Sequence, residues 1–359
     1  MRSFYMACPV FQGPGGIASY ARRVVETNAP EAWDVLGVGQ SATLFPCPPN
    51  ATVLAAPARQ AAFAAKLAAD YLRRPPTVFV FAHLGLTRPL GVLPHQPRHQ
   101  VAVIMHGIEA WVPVPRRRAM GFSRVDSFVF TTEYSRAMFL NFNRPALSPR
   151  ATTEVIPLSA EGALESSVPT PAPTAARRRV VCVTRLTSDE PLKGISTLLR
   201  AAKHLDPATW EVVLVGDGDG KAGYEREAAS LGVTDRVRFT GWVEDTQRTT
   251  EIAQADVFCL PSAQEGFGIA FLEAMVAGRP CVGAAAGAVP EVLSREAGEL
   301  FPYGDPAMLA EAITRASDRL RSGELTPASI RGVYEQRFAW QKFQDRWRTY
   351  LTGLRGYNG

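Results

Sequence analysis

Ala255-Asp-Val-Phe-Cys-Leu-Pro-Ser-Ala-Gln-Glu265-Gly-Phe-Gly-Ile-Ala-Phe-Leu-Glu273 is the stretch on which the reading of this chain turns. The apolar run 257–260 stops at Pro261 and reads as a buried strand. Gly266 and Gly268 then precede a strongly apolar helix-forming segment that is ended by Gly278 and Pro280. A strand, a glycine-rich turn and a helix in that order form one unit of a parallel α/β sheet. The glycines let a ligand come close to the backbone, and the first turn of the helix offers N–H groups without intrahelical partners. Together they suit an anion such as a phosphate. Glu265 lies just before this helix and Glu273 well inside it, among apolar neighbours. At about 1.5 Å per helical residue the two carboxylates stand roughly 10 Å apart rather than 5 Å. That is too wide for the nucleophile and acid of a retaining glycosidase. It suits two hydroxylated rings joined by a diphosphate. The plainer reading of Glu273, a carboxylate favoured by the helix dipole, is weak because that effect fades after the first turn.

Outward from this segment, short apolar runs alternate with amphipathic ones. Strands are expected at 4–7, 33–38, 77–81, 101–105, 127–130 and 154–156, with helices at 17–26, 59–72 and 135–142. Residues 166–176 are rich in Ser, Thr, Pro and Ala and lead into Arg177-Arg-Arg179, which marks a linker. The pattern then restarts. Strands are expected at 180–184, 211–215, 237–239 and 257–260 and from Cys281, with helices at 195–204, 224–231 and 307–320. The fold class is therefore α/β, with two doubly wound Rossmann-like domains facing a cleft: 1–165, a linker at 166–179, and 180–337. A final helix, 338–359, carries Trp340, Phe343, Trp347, Tyr350, Leu351 and Leu354 at helical spacing.

At 359 residues the chain exceeds what one core usually organises, in keeping with two domains. It is 46% apolar and 20% charged, as globular proteins are. The apolar run before Pro9 is too short for a signal peptide and reads as a buried strand, and no run is long enough to span a membrane. Five cysteines (Cys8, Cys47, Cys182, Cys259, Cys281) are scattered, odd in number and without metal-like spacing. Cys182, Cys259 and Cys281 sit inside apolar runs and read as small buried hydrophobes, and a reducing, cytoplasmic setting is expected. The net charge of +5 is mild, and no recognition motif accompanies it, so no nucleic-acid partner is expected. Arg116-Arg-Arg118 neighbours Trp111–Pro115 and Phe122. It reads as a solvated face or as a peripheral contact with an anionic membrane surface or anionic substrate.

The segment from Glu265 to Glu273 resembles the Glu-seven-residues-Glu motif of retaining glycosyltransferases of the GT-B fold, family 4 (glycosyl transferases group 1). The resemblance covers most of the chain. Gly13-Pro-Gly-Gly-Ile-Ala-Ser-Tyr20 resembles the family's first glycine-rich loop, and His106-Gly-Ile-Glu109 its central His-Gly segment. Val183-Thr-Arg-Leu186 with Lys193-Gly194 resembles its Arg and Lys pair. Leu214-Val-Gly-Asp-Gly218 and Phe239-Thr-Gly-Trp-Val243 resemble its nucleotide-side loops. The resemblance implies that Glu273 binds the ribose and Glu265 the transferred sugar. Backbone N–H groups around Gly266, Phe267, Gly268 and Ile269 would hold the diphosphate, with Arg185 and Lys193 neutralising it as it leaves. Fixed cations aimed at a leaving anion lower the barrier. No metal site is then needed, and no cofactor beyond the nucleotide-sugar substrate, UDP- or GDP-linked. Gly15 and Gly16 would approach the diphosphate from the other domain, and His106 would face the transferred sugar. Gly216, Gly218 and Val243 would adjoin the nucleotide. Plainer readings remain beside these: a turn for Gly15-Gly16, a satisfied buried histidine for His106, surface charge for Arg185, Lys193 and Glu109.

The implied reaction is retaining transfer of a hexose to an acceptor hydroxyl on a saccharide or lipid-linked saccharide, in polysaccharide or glycolipid synthesis. The terminal helix would cross back onto the first domain. Three departures stand out. Ser188-Asp-Glu-Pro191 lengthens the spacing from Arg185 to Lys193; Leu158-Ser159 stands where the family usually has Asn-Gly; and Gly287-Ala288 replaces Gly-Gly. An epimerase on the same architecture and a non-catalytic sugar-nucleotide binder are the rival readings.

Overall fold

The computed structural model describes residues 3–9, 11, 16–37, 47–54, 60–160 and 177–356. They divide into two compact units, Met1–Leu158 with Gln341–Gly359, and Ser159–Trp340. Most of the expected linker, 166–176, and the first-loop residue Gly15 lie outside the described residues.

The first unit is built on a seven-stranded parallel sheet. Its strands are β1 (Ser3–Cys8), β2 (Trp33–Gly37), β3 (Ala51–Leu54), β4 (Thr77–Phe81), β5 (Gln100–Met105), β6 (Ser127–Phe130) and β7 (Thr152–Val155), in the order β3-β2-β1-β4-β5-β6-β7. The inner strands β4, β5 and β6 are buried along their whole length. A parallel sheet covered on both faces needs continuous apolar runs, and Val78-Phe-Val-Phe81 and Val101-Ala-Val-Ile-Met105 supply them. The edge strand β3 was not legible in advance: it is four residues long and only half-buried. Helices α1 (Gly16–Thr27), α2 (Gln60–Arg73), α3 (Arg116–Ala119) and α4 (Glu133–Asn143) complete this part. Thr132 caps α4 by accepting from the Ser135 N–H. A 3-10 stretch, Leu84–Val92, fills the connection after β4, where the sequence showed no pattern.

The C-terminal helix, Trp340–Gly356, packs its aromatic stripe on this unit. Trp347 is fully buried and donates from Nε1 to Tyr20 Oη at 3.3 Å. Phe343 and Trp347 meet the Tyr20 ring edge-on at 5.7 and 6.0 Å, and Arg348 Nε donates to the Thr27 carbonyl at 3.0 Å.

The second unit holds a six-stranded parallel sheet: β8 (Arg178–Val183), β9 (Trp210–Val215), β10 (Val237–Gly241), β11 (Val257–Leu260), β12 (Cys281–Ala284) and β13 (Gly298–Phe301). Its order is β10-β9-β8-β11-β12-β13. The first strand starts two residues earlier than expected. Arg178 and Arg179 are strand residues, ion-paired with Asp318 and Glu211, and not a solvated linker. The helices are α5 (Ile195–Ala201), α6 (Lys221–Ser230), α7 (Asp245–Ala253), α8 (Ile269–Val276), α9 (Val289–Val292), α10 (Pro306–Arg321) and α11 (Pro327–Phe338). Thr326 and Ser329 form a reciprocal capping box at the start of α11. Ser159, where the family usually has Asn-Gly, is buried and bonds Tyr334 Oη at 2.9 Å.

In both sheets the strand order reverses at one point: between β1 and β4, and between β8 and β11. Ligands of doubly wound sheets bind beyond the carboxyl ends of the strands at such points. No helix among the described residues is long and apolar enough to cross a membrane.

Trp347→Ala should destabilise the first unit by about 3–5 kcal/mol, since it empties a fully buried site and removes the Nε1–H donor to Tyr20 Oη. Denaturant unfolding followed by far-UV circular dichroism measures this; a loss below about 1 kcal/mol would show that the helix is not part of that core.

Candidate functional site

The loops leaving β8 and β11 meet at the reversal point of the second sheet. The Ala263 N–H donates to the Leu192 carbonyl at 2.8 Å, joining them. Gly194 sits at the join with φ of +72°, and a Cβ there would stand 2.1 Å from the Pro261 carbonyl oxygen. Only glycine allows that backbone conformation and that approach without strain. Immediately before it, Lys193 ends a 3-10 turn (Pro191–Lys193) and reaches across. Lys193 Nζ donates to Glu265 Oε1 at 3.0 Å, with the two side chains only 18% and 15% exposed. Two residues that the sequence separates by 72 positions are thus one largely shielded ion pair.

Gly268 follows at φ of +85° and caps α8 without any side-chain acceptor or donor. The helix N-terminus therefore keeps its positive dipole end uncapped by a side chain. Phe267 is buried, its ring 5.6 Å from that of Phe338, so its side chain serves the core and only its backbone can serve a ligand. Ile269 opens the helix, half-buried. Gly266 completes the turn. Behind it the Ala288 N–H donates to the Glu265 carbonyl at 3.2 Å, so the Gly287-Ala288 turn buttresses the loop.

Glu273, one turn into α8, is 11% exposed at its side chain and pairs with Arg248 Nη2 at 3.3 Å. Arg248 belongs to α7, and its other terminal nitrogen holds Asp245 at 3.0 Å. Sequence reasoning missed Arg248, because α7 carries no strong apolar period and was not expected. Val243 lies just before α7, half-buried against the core residues Val181, Val213 and Val215, while its neighbour Trp242 is 70% exposed.

Gly216 and Gly218 have a packing reason of their own. A Cβ at Gly216 would stand 1.9 Å from the Thr184 carbonyl oxygen, and one at Gly218 2.3 Å from that of Leu186. Both glycines let the loop after β9 lie against the loop that carries Arg185. Arg185 itself is 71% exposed and pairs with Glu190 Oε1 at 2.7 Å, from the lengthened segment. The structure therefore unites Lys193 with Glu265 and gives Arg185 a different partner. An exposed pair of this kind contributes about 0–1 kcal/mol, whereas removing one member of a buried pair costs about 3–5 kcal/mol. Arg185 is the cation free to change partners; Lys193 is held in place.

In the first unit, His106 leaves β5. Its Nε2 donates to the Ala82 carbonyl at 2.7 Å, and its backbone N–H donates to Glu109 Oε1 at 2.5 Å. The Tyr20 ring stands edge-on at 5.3 Å. Burial drives the imidazole pKa below its ordinary 6.5, against the opposing pull of Glu109. Gly16 opens α1 with open space where a Cβ would be. Cys182, Cys259 and Cys281 are buried and free, and burial pushes the Cys182 thiol up to about 12.

A family model, "Glycosyl transferases group 1", matches residues 177–319. The GDP-mannose-dependent alpha-(1-6)-phosphatidylinositol monomannoside mannosyltransferase of Mycobacterium tuberculosis is 31% identical over 300 residues, covering 75% of this chain and 74% of that protein. The phosphatidyl-myo-inositol mannosyltransferase of Mycobacterium leprae is 39% identical over 127 residues, 35% of this chain and 34% of that one, so this match spans about a third of the relative's length. Anabaena HepE, solved in complex with UDP and glucose, superimposes with a TM-score of 0.78 at 18% identity, covering 98% of this chain and all of that one. The two parallel sheets and their helices are the GT-B fold, and the chain belongs to the group 1 glycosyltransferases.

Two outcomes follow from the geometry. Lys193→Met should lower stability by about 1–3 kcal/mol, below the cost for a fully buried pair, by leaving Glu265 shielded and unpaired, and adding Glu265→Leu should recover most of it; a double-mutant cycle without coupling would contradict the shielded pair. For His106, the unfolded chain takes up a proton near pH 6.5 while the folded one resists. Stability is therefore greatest above that value and falls as the pH drops below it. Melting temperatures of the wild type and His106→Gln between pH 8 and 5 test this, the variant losing part of the acid slope.

Proposed function

We propose that the chain transfers a hexose from a UDP- or GDP-linked sugar to an acceptor hydroxyl on a saccharide or lipid-linked saccharide, with retention and without a metal ion. The observation that carries this reading is the cluster at the β8/β11 reversal point. A shielded Lys193–Glu265 pair, a helix N-terminus without a side-chain cap and the carboxylate of Glu273 all belong to its loops and to α8. The domain limits of the sequence reading are kept as part of this proposal: an acceptor-binding region ending near residue 165 and a donor-binding region from about 180.

In this reading the diphosphate lies at the start of α8, against the N–H groups near Gly268 and Ile269. Glu273 accepts from the ribose hydroxyls, and Arg248, 3.3 Å away, holds that carboxylate in position. Glu265 accepts from hydroxyls of the sugar. The bond between the anomeric carbon and the diphosphate oxygen breaks, and the acceptor oxygen bonds to the same face of that carbon. The acceptor proton passes to the departing phosphate oxygen. Negative charge grows on the diphosphate as it leaves, and Lys193 is already in place to meet it, so little reorganisation remains for the reaction step. Arg185 exchanges Glu190 for the phosphates at small cost. His106 stays neutral, with its Nε2–H committed to Ala82. The family resemblance gives it a place beside the transferred sugar. Gly15, Gly16, Gly216, Gly218 and Val243 keep the roles that the family resemblance gives them, as approaches for the diphosphate and the nucleoside.

The relatives named above support mannose and a GDP-linked donor, while HepE, bound to UDP and glucose, supports UDP. The mannosyltransferase names also support an acceptor of the glycolipid kind. A cytoplasmic site of action, peripheral at the inner membrane face, belongs to the same proposal.

Glu273→Ala should abolish detectable transfer while changing stability by no more than about 1–2 kcal/mol. Product formation from GDP-mannose and UDP-glucose, with the anomeric configuration read by proton NMR, checks the assignment. Full activity of this variant, or an inverted product, would sink it.

A further inference from the structure

The first unit contains a cavity of about 1200 Å³ that no step of the donor chemistry uses. Pro9 and His83, the residues just past β1 and β4, line it, so it lies beyond the carboxyl ends of the strands at the reversal point of the first sheet. Its walls are chiefly apolar: Ile17 of α1, Phe63, Ala64 and Ala68 of α2, Leu86 of the 3-10 stretch, and Met120 just after α3. Ala64 and Ala68 are four residues apart and share one face of α2, and their small side chains leave the space open. Val92 and Met120, 74% and 48% exposed, extend the apolar surface to the outside.

The polar part of the lining is lopsided. It includes Gln60, His83 and the exposed Arg88, and no aspartate or glutamate is among the described residues that line the cavity. Helix α3, which packs against the 3-10 stretch, begins with the exposed Arg116. His83 Nδ1 accepts from the Gly85 N–H at 3.0 Å, so its proton is on Nε2. His83 also follows directly on Ala82, the residue that holds His106. One end of the cavity is therefore next to the histidine assigned to the transferred sugar, and another opens on apolar and basic surface.

A bare saccharide does not fit such walls, because its hydroxyls would lose their water without gaining partners. A hydrocarbon chain does, and an anionic group on it would meet Arg88. Resting on the glycosyltransferase reading above, we propose that this cavity binds the hydrocarbon part of an anionic amphiphilic acceptor, an acyl or prenyl chain bearing a phosphate, and presents its hydroxyl-bearing end beside His83.

The probe is dodecyl phosphate below its micelle concentration, titrated calorimetrically into the full chain, with inorganic phosphate and dodecyl maltoside as controls. Saturable binding is expected, at least about tenfold tighter than for either control. Ala64→Trp and, as a milder filling, Ala68→Leu should each weaken it about tenfold without loss of the folded state in thermal unfolding. Arg88→Ala should reduce the preference over dodecyl maltoside about threefold or more. No saturable binding, equal binding of dodecyl maltoside, or affinity unchanged in both filled variants overturns the proposal. Thermal shifts with GDP and UDP on the same preparations test the donor reading separately. Ala64 has no part in the donor site, so those shifts should persist in the Ala64→Trp variant. Their absence from the wild type would overturn the donor reading while leaving the dodecyl phosphate result to decide the cavity.

Discussion

The ion pair between Lys193 Nζ and Glu265 Oε1 is the interaction around which the second unit's site is organised. Both charges are largely removed from water, which is costly unless each finds the other in good geometry. That requirement fixes the relation of two loops that leave adjacent strands. Gly194 makes the approach possible, because any Cβ there would collide with Pro261. The Ala263–Leu192 hydrogen bond closes the same seam from the backbone. A cation and a carboxylate thus stand ready at a sheet's reversal point before any ligand arrives, and preorganisation of this kind is what electrostatic catalysis depends on.

The other charges are arranged by strength. Arg185 is mostly in water, and its contact with Glu190 is weak enough to be exchanged. Glu273 is shielded and held by Arg248, so its carboxylate cannot drift among the apolar residues of α8. One cation is fixed, one is exchangeable and one carboxylate is clamped. Under the proposed function, which binds a dianionic group and later releases it with more charge, this mixture is suited to the task. A fully buried set would hold its product too well, and a fully exposed set would be screened by solvent. The first unit works differently. Its reversal point has an apolar cavity, a neutral histidine locked to the Ala82 carbonyl, and arginine on its rim.

Much of this was legible from residue order. The inner strands are continuous apolar runs, and β4, β6 and β11 fall at their expected limits. The glycine turn from Glu265 to Gly268 was legible as the opening of an apolar helix, and its reading as an anion site is part of the proposed function. Other elements were not legible for definite reasons. The edge strand β3 is short and half-exposed, so it lacks the apolar signal of the inner strands. Helix α7 has a polar sequence with no strong stripe, and with it Arg248 went unseen. Strand β13, Gly298-Glu-Leu-Phe301, reads as a loop until Cys281 is placed beside it, where a Cβ on Gly298 would stand 1.8 Å from the Cys281 carbonyl oxygen.

The sequence alone determined that this chain builds two doubly wound parallel sheets and places a glycine turn and an apolar helix ahead of Glu273. Those properties follow from local periodicity and from glycine's backbone freedom, which neighbouring residues suffice to specify. Tertiary structure alone decided the partners. Lys193 took Glu265, Arg185 took Glu190, Glu273 took Arg248, and His106 Nε2–H donates to the Ala82 carbonyl. It also decided that Gly216 and Gly218 carry a packing role, and that Ala64 and Ala68 leave a cavity where a larger side chain would have closed it. Pairings and voids of this kind depend on which loops the sheet order brings together. That is a long-range property, and no window of sequence contains it.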